Sequence, residues 1–326
     1  MGALATVATI CQGGVFRPTV RENVERMLGL VEEALTYQPD LICLPETFPD
    51  VGVRGSLQER AEPIEGPTVR AFAAKARAGR CYLLCPLHLQ EGERVFNVAL
   101  LLDREGEVAG IYRKVCPVTS SADYTEFEHG VTPGADLPVF DLDFGRVGVQ
   151  ICFDIGFPEN WQTLADRGAR LVVWPSAYDG GFPLRVYAYL HHYYVVSSTR
   201  TGRSRIIDPC GEVLVETSDS NPIAVRRINL DYVVIHLDWN KSIPDRIREK
   251  YGSRVAIRQW DPGSAHVVIE PQDPTISCAQ LQEEFGFEPT ALYHERHRIA
   301  YRRLLAGEPA VPQQARHGER PQYSKW

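Results

Sequence analysis

What most constrains this chain is an alternation of two hydrophobic rhythms over its first 240 residues. Short, almost wholly apolar runs recur: ALATVATIC (3–11), DLICLPE (40–46), CYLLCPLHL (81–89), FNVALLLD (96–103). Runs of this length suit strands buried on both faces. Between them, RENVERMLGLVEEALTY (21–37) and TVRAFAAKARA (68–78) carry apolar residues at helical spacing, with Gly79 as the stop of the second. EVAGIYRK (107–114) is a further strand after a turn at Asp103–Gly106. PVFDLDFGRVGVQICFD (138–154) reads as two strands about a turn at Asp143–Gly145. Helices are expected over 159–169 and 183–193, and strands over 170–178, 194–199, 204–217 and 225–238. Strands alternating with helices place the chain in the α/β class.

Residues 115–138 are rich in Ser, Thr, Pro and Gly and form one long loop. A connection of that length inside a packed domain is usually functional. From about residue 240 the strand patterns fade, and charged, Pro-rich and His-containing segments follow. The expected organisation is one domain over 1–240 and a C-terminal extension over 241–326 that packs on a partner subunit. The closing ARHGERPQYSKW carries no buried pattern and reads either as an arm on that partner or as a frayed end.

Composition removes several function classes. Lys+Arg is 35 against Asp+Glu 42, a net charge of −7. Phosphate backbones and anionic lipid surfaces need clustered cations, so neither nucleic acid nor membrane is expected as a partner. There is no apolar run of membrane-spanning length, and MGALATVATICQGGVF lacks a basic leader region, so the expected location is the cytoplasm. Eight cysteines sit mostly inside apolar runs and are expected as reduced, buried thiols. Cys81 and Cys85 lack the second ligand pair that zinc would need. HERH (294–297), in the basic segment HERHRIAYRRL, also lacks further ligands and reads as a solvated helix face. No glycine-rich nucleotide-binding pattern is present.

Three polar residues stand at the carboxyl ends of predicted strands, where α/β folds gather their sites. They are Glu46 after DLICLP, Lys114 at the end of EVAGIYRK, and Cys152 at the end of RVGVQIC. Each alone has an ordinary explanation: a solvated carboxylate, a surface ammonium, a small core thiol. Together they supply a base, a cation and a nucleophile. The chain must break after Cys152, because Gly156 and Pro158 precede the next helix. A thiol beside a helix N-terminus and a lysine has its thiolate favoured, and the Phe153 N–H of that turn is placed to face an oxyanion. A glutamine at 150 and an aspartate at 154 disfavour the glycine-flanked nucleophile elbow of amidotransferases.

The ordered segments LPETF, YRKVCP and VGVQICFDIGFPE, spaced by 68 and 38 residues from Glu46 to Lys114 to Cys152, resemble the nitrilase superfamily of carbon–nitrogen hydrolases. GVTPG (130–134) and GARLVVWPSAY (168–178) fit the same resemblance, which covers about residues 4–238. It implies a four-layer α-β-β-α sandwich and a homodimer or higher homo-oligomer. It implies Cys152 as nucleophile, Glu46 as general base and Lys114 as oxyanion stabiliser, acting through a thioester without metal or organic cofactor. Such families carry a second loop glutamate; of Glu126 and Glu128, Glu126 is favoured because it lies farther from the turn at Gly130. Phe153, Ala177 and Tyr178 are expected to line the pocket. His191 and His192, adjacent on one helix, point in different directions, and either helix packing or substrate contact is open to them.

The nucleophile is followed by Phe153-Asp154, which resembles the amidase and carbamoylase branches more than the nitrile-hydrolysing one. The expected substrate is a small linear amide or N-carbamoyl compound. A nitrile substrate, acyl transfer to an amine, and a catalytically silent binding relative remain as alternatives.

Overall fold

The computed structural model describes residues 3–259, 261 and 263–313. Residues 5–228 form one compact unit, and 229–313 with residues 3–4 form a second.

In the first unit the order is β1 (Leu4–Ile10), α1 (Val20–Leu35), β2 (Leu41–Cys43), α2 (Leu57–Arg60), α3 (Pro67–Gly79), β3 (Tyr82–Glu91), β4 (Arg94–Leu102) and β5 (Val108–Arg113). The second half repeats the plan with β6 (Val139–Leu142), β7 (Gly145–Val149), α4 (Pro158–Asp166), β8 (Leu171–Ser176), α5 (Gly181–His191), β9 (Tyr194–Thr199), β10 (Arg205–Ile207) and β11 (Val213–Glu216). The last strand, β12 (Ile223–Asn229), returns to the first sheet. One sheet runs β12-β1-β2-β3-β4-β5 and the other β11-β10-β9-β8-β7-β6. In each, a parallel trio (β1-β2-β3 and β7-β8-β9) is extended by antiparallel neighbours.

The two sheets face one another. Ser198 Oγ donates across the interface to the Ile10 carbonyl at 2.7 Å, and Thr9 Oγ1 to the Ser197 carbonyl at 2.6 Å. Helices cover the outer faces. Met27 and Val31 of α1 and Phe72 and Ala76 of α3 join one core cluster with β1–β4. Trp161 and Leu164 of α4 and Leu184 and Ala188 of α5 join another with β8 and β9. Parallel strands buried on both sides explain the uninterrupted apolar runs. This is the expected α-β-β-α sandwich.

Local chemistry starts the helices. Thr19 caps α1 by accepting from the Glu22 N–H at 3.2 Å. The stop of α3 differs from expectation. Gly79 is its last helical residue, and Arg80 takes the left-handed conformation with φ +49°. The glycine serves close packing instead: a Cβ there would lie 2.3 Å from Leu35 Cδ2 of α1.

The second unit holds a three-stranded antiparallel sheet, β13 (Val233–His236), β14 (Val255–Arg258) and β15 (His266–Pro271), in the order β13-β15-β14. Helices α6 (Ile243–Tyr251), α7 (Cys278–Phe285) and α8 (Thr290–Leu305) accompany it. Ile247, Leu281, Phe285 and Phe287 pack with Ile235 and Ile269 as its core. Two expectations are corrected here. The apolar run 225–238 is two strands, not one, split between different sheets at residues 230–232. Strands also continue past residue 240; β14 is short and only partly buried, so its pattern was weak. Residues 315–326 lie outside the described residues. Seven of the eight cysteines are buried and Cys116 is half-buried. Among the described residues no helix is long and apolar enough to cross a membrane.

Candidate active site

Three strand ends build the site. Glu46 lies three residues beyond β2, where Thr47 takes a left-handed φ of +38°. Lys114 directly follows β5 and extends its pairing, its N–H donating to the Asn97 carbonyl at 2.9 Å. Cys152 follows β7 and opens a 3-10 turn over Cys152–Gly156 with φ +47°, a strained conformation for a residue with a side chain. Glu46, Lys114 and Cys152 line one cavity of about 430 Å³.

The polar contacts are dense. Lys114 Nζ donates to Glu46 Oε1 at 2.9 Å and to Glu128 Oε1 at 2.6 Å. Asn97 Nδ2 bridges the same two carboxylates, 2.9 Å from Glu46 Oε1 and 3.0 Å from Glu128 Oε2. Arg200 Nη2 reaches Glu46 Oε2 at 3.1 Å. Lys114 and Glu46 are 1% and 3% exposed, so these charges hold only because they compensate one another.

Burial pushes the Glu46 carboxyl up, but the Lys114 and Arg200 charges and the hydrogen bonds from Lys114 and Asn97 outweigh it and hold it at about 2. Burial disfavours the Lys114 ammonium, yet the charges of Glu46 and Glu128 raise it above its ordinary value. The Cys152 thiol goes the other way: burial and the Glu46 charge push it up to about 11, against the opposing Lys114 charge and hydrogen bonds from the Ala177 backbone and Ser176. At neutral pH the site therefore rests as thiol, carboxylate and ammonium.

Asp154 anchors the turn that presents the sulfur. It is buried and accepts from the Tyr112 hydroxyl at 2.6 Å, the Ile151 N–H at 2.7 Å and the Cys116 N–H at 2.9 Å. Burial raises its carboxyl to about 6 despite these donors. Trp174 Nε1 fixes the Cys152 carbonyl at 3.0 Å.

Several expected placements change. Glu128, not Glu126, is on the lysine. Glu126 is exposed and its carboxylate accepts from Ser120 Oγ at 3.0 Å. Two residues apart, these side chains would share a face of an extended segment; left-handed backbone at Glu128 and His129, φ +42° and +58°, turns Glu128 inward. Ala177 lines the cavity as expected, whereas Phe153 and Tyr178 do not. Phe153 is turned outward by the 3-10 turn, 41% exposed and edge-on to Phe157. Tyr178 packs edge-on against Trp174. His191 stacks on Tyr187 and lies tilted against Tyr193, and His192 follows α5 as its left-handed cap residue, with Nδ1 3.3 Å from the Pro209 carbonyl; neither lines the cavity. HERH is not a solvated face either, since His294 and His297 are half-buried.

Sequence reasoning missed Asn97, Arg200 and Asp154. A signal existed for the first: Asn97 is the one polar residue before the terminal aspartate of FNVALLLD, and a buried amide must find partners. Arg200 stands at the carboxyl end of β9, as the other three stand at theirs.

The carbon-nitrogen hydrolase family matches residues 7–234 of the chain. A protein of Pseudomonas protegens described as "Hydrolase in pqqF 5'region" is 29% identical over 252 residues, 71% of this chain and 86% of its own length. The deaminated glutathione amidase of Mus musculus is 29% identical over 256 residues, 70% of this chain and 79% of its own. In structure, Saccharomyces cerevisiae Nit3, a member of branch 10 of the nitrilase superfamily, superposes with a TM-score of 0.60 at 21% identity over 69% of this chain and 90% of that one. An amidase from Nesterenkonia sp. superposes with a TM-score of 0.59 at 22% identity over 69% and 90%. The fold, the family match over more than two thirds of the chain and the shared relatives agree: the chain belongs to the carbon–nitrogen hydrolase family of the nitrilase superfamily and is a hydrolase of C–N bonds other than peptide bonds.

Proposed function

We propose that this chain hydrolyses a small linear amide or N-carbamoyl compound, with Cys152 as nucleophile, Glu46 as general base and Lys114 as oxyanion stabiliser. What supports the reading is the meeting of these three buried side chains along one cavity from three separate strand ends. The amidases among the relatives favour an amide over a nitrile.

The charge arrangement dictates an order of events. With the thiol near 11 and the carboxyl near 2, the proton stays on sulfur until substrate arrives. Sulfur attacks the carbonyl carbon as Glu46 takes the proton. Negative charge then leaves Glu46 and appears on the substrate oxygen, so the charge around Lys114 is conserved. Lys114 Nζ and the Phe153 N–H meet the oxyanion. Glu128, bonded to Lys114 Nζ, stays beside the ammonium through these steps. Collapse of the tetrahedral species returns the proton from Glu46 to the departing nitrogen and leaves a thioester on Cys152. Water, deprotonated by Glu46, attacks that thioester; the acid leaves and the proton returns to sulfur.

The test is Cys152→Ala. Ammonia release from amide substrates is expected to vanish while the thermal unfolding curve is retained. Mass spectrometry of the unaltered protein is expected to show an adduct on Cys152 with fluoroacetamide, a compound whose acetamide moiety adds covalently at the active site cysteine in a glutamate-to-glutamine mutant of the amidase from Nesterenkonia sp. AN1. Retained turnover in Cys152→Ala refutes the mechanism. Matched amide and nitrile assays separate the two chemistries. As part of the same proposal, residues 1–240 form the catalytic domain, residues 241–326 pack on a partner subunit, and the protein works as a cytoplasmic homodimer or higher homo-oligomer; light scattering checks the assembly.

A further inference from the structure

The second unit carries a cluster that the amide chemistry does not use. His236 of β13 and His266 of β15 are paired residues across the antiparallel ladder, which puts their side chains on the same face of the sheet. His294, in the first part of α8, comes down beside them. The ring centroids of His236 and His266 are 5.3 Å apart, and those of His294 lie 6.1 and 6.2 Å from the two. Each of the three offers a nitrogen within 4.8 Å of the others, and all three are half-buried. We propose that His236, His266 and His294 bind one divalent transition-metal ion of the zinc class.

The donor chemistry selects that class. Neutral imidazoles suit zinc, cobalt, nickel and copper; calcium and magnesium want oxygen ligands. Around a tetrahedral zinc with metal–nitrogen bonds of about 2.0 Å, ligand nitrogens sit about 3.3 Å apart. Closing from the observed spacing asks each ring to move by less than an atomic diameter. Three protein ligands leave the fourth tetrahedral position to water.

The surroundings orient at least one ligand. Nδ1 of His236 lies 3.2 Å from both the Asp238 N–H and its carboxylate oxygen Oδ2. A neutral His236 ring can offer Nε2 to the ion in the tautomer whose proton sits on Nδ1 and is donated to Asp238 Oδ2, the carboxylate partner typical of ligating histidines, in place of Nδ1 accepting from the Asp238 N–H. Asp238 is in turn held by the Tyr293 hydroxyl at 2.9 Å, and the Tyr293 ring stacks on His236 at 5.1 Å. His297, one turn along α8, bonds the Tyr293 carbonyl at 2.9 Å and is not one of the three.

The experiment uses the full chain on a Cys152→Ala background, so that the buried thiol does not compete for metal. After removal of metal by chelator and dialysis, zinc sulfate or cobalt chloride is titrated. Expected are one zinc per chain by elemental analysis and visible ligand-field bands of tetrahedral cobalt. His294→Ala and His266→Gln each lower affinity by at least about tenfold, on the scale of damage to a metal ligand sphere; His297→Ala leaves the stoichiometry at one. Should a variant fail to fold, the background chain still decides: a thermal midpoint raised by zinc and not by magnesium supports the site, because only the folded state holds three histidines together. No stoichiometric binding, equal binding in the His294 and His266 variants, or no zinc-dependent rise in the midpoint overturns it.

Discussion

Exchanging Glu128 for glutamine separates the geometry found here from the simpler view that one carboxylate serves Lys114. Glu128 Oε1 sits 2.6 Å from Lys114 Nζ. At an effective dielectric of 20, unit charges at that distance attract by about 6 kcal/mol, which bounds the effect from above. Losing one partner of a buried pair costs about 3–5 kcal/mol, and the 18% exposure of the Glu128 side chain argues for the lower end. In Glu128→Gln the ammonium has Glu46 as its one remaining carboxylate. Glu46 must then stay ionised to hold it, and becomes a weaker proton acceptor. A loss of about 3 kcal/mol corresponds to about 150-fold in kcat. Ammonia release from a primary amide measures it, with Glu126→Gln assayed beside it. Because Glu126 is exposed and bonded to Ser120, that change is expected to lower kcat by less than about twofold. If Glu128→Gln keeps more than a third of the wild-type kcat, or Glu126→Gln falls as far, the two-carboxylate account of Lys114 is wrong.

The other expectations concern stability and the frame of the site. Asp154→Asn turns an acceptor of three hydrogen bonds into a group with a misplaced donor; urea unfolding is expected to show a loss of about 2–4 kcal/mol, and an unchanged midpoint sinks its anchoring role. Burial raises the Glu46 carboxyl and its cationic neighbours more than reverse this, leaving it at about 2 against an ordinary 4.5. Its stabilisation is thus full above pH 4.5 and lost as pH falls towards 2, so the unfolding free energy of wild type minus that of Glu46→Gln should shrink over that window. A difference constant with pH contradicts the pairing. Gly134 approaches the strand end that carries Lys114: its N–H donates to the Lys114 carbonyl at 2.8 Å, and a Cβ there would lie 2.2 Å from the Arg113 carbonyl oxygen. Gly134→Ala is expected to cost about 1–3 kcal/mol in urea unfolding and to lower kcat; a wild-type denaturation midpoint refutes the contact.

The legible part of this protein was its scaffold. Strands β1, β3, β4, β7, β8 and β9 declared themselves through apolar runs, because burial on both faces leaves few places for polar residues. The less legible part begins where burial is one-sided. β14 has partly buried residues at three of its four positions, and α8 has a single buried residue, Thr290, so neither imposes a strong period. The candidate site divided the same way. Glu46, Lys114 and Cys152 could be read because each breaks an apolar strand pattern at its carboxyl end. Glu128 could not be told from Glu126, since left-handed backbone at residues 128 and 129 redirects the side chain and no neighbouring residue type announces it. Phe153 was misplaced for a related reason: the 3-10 turn that exposes the sulfur inward rotates the next residue outward.

By itself, the order of residues determined that buried strands would alternate with helices and that a carboxylate, an ammonium and a thiol would stand at strand ends. Only the tertiary structure decided which charges share a cavity: Asn97 and Arg200 on Glu46, Glu128 on Lys114, and three histidines from two strands and a helix at one place. Periodicity reports which face of an element is dry, a local property. Meeting of polar side chains depends on sheet pairing and loop torsions across tens to hundreds of residues, to which the hydrophobic pattern is blind.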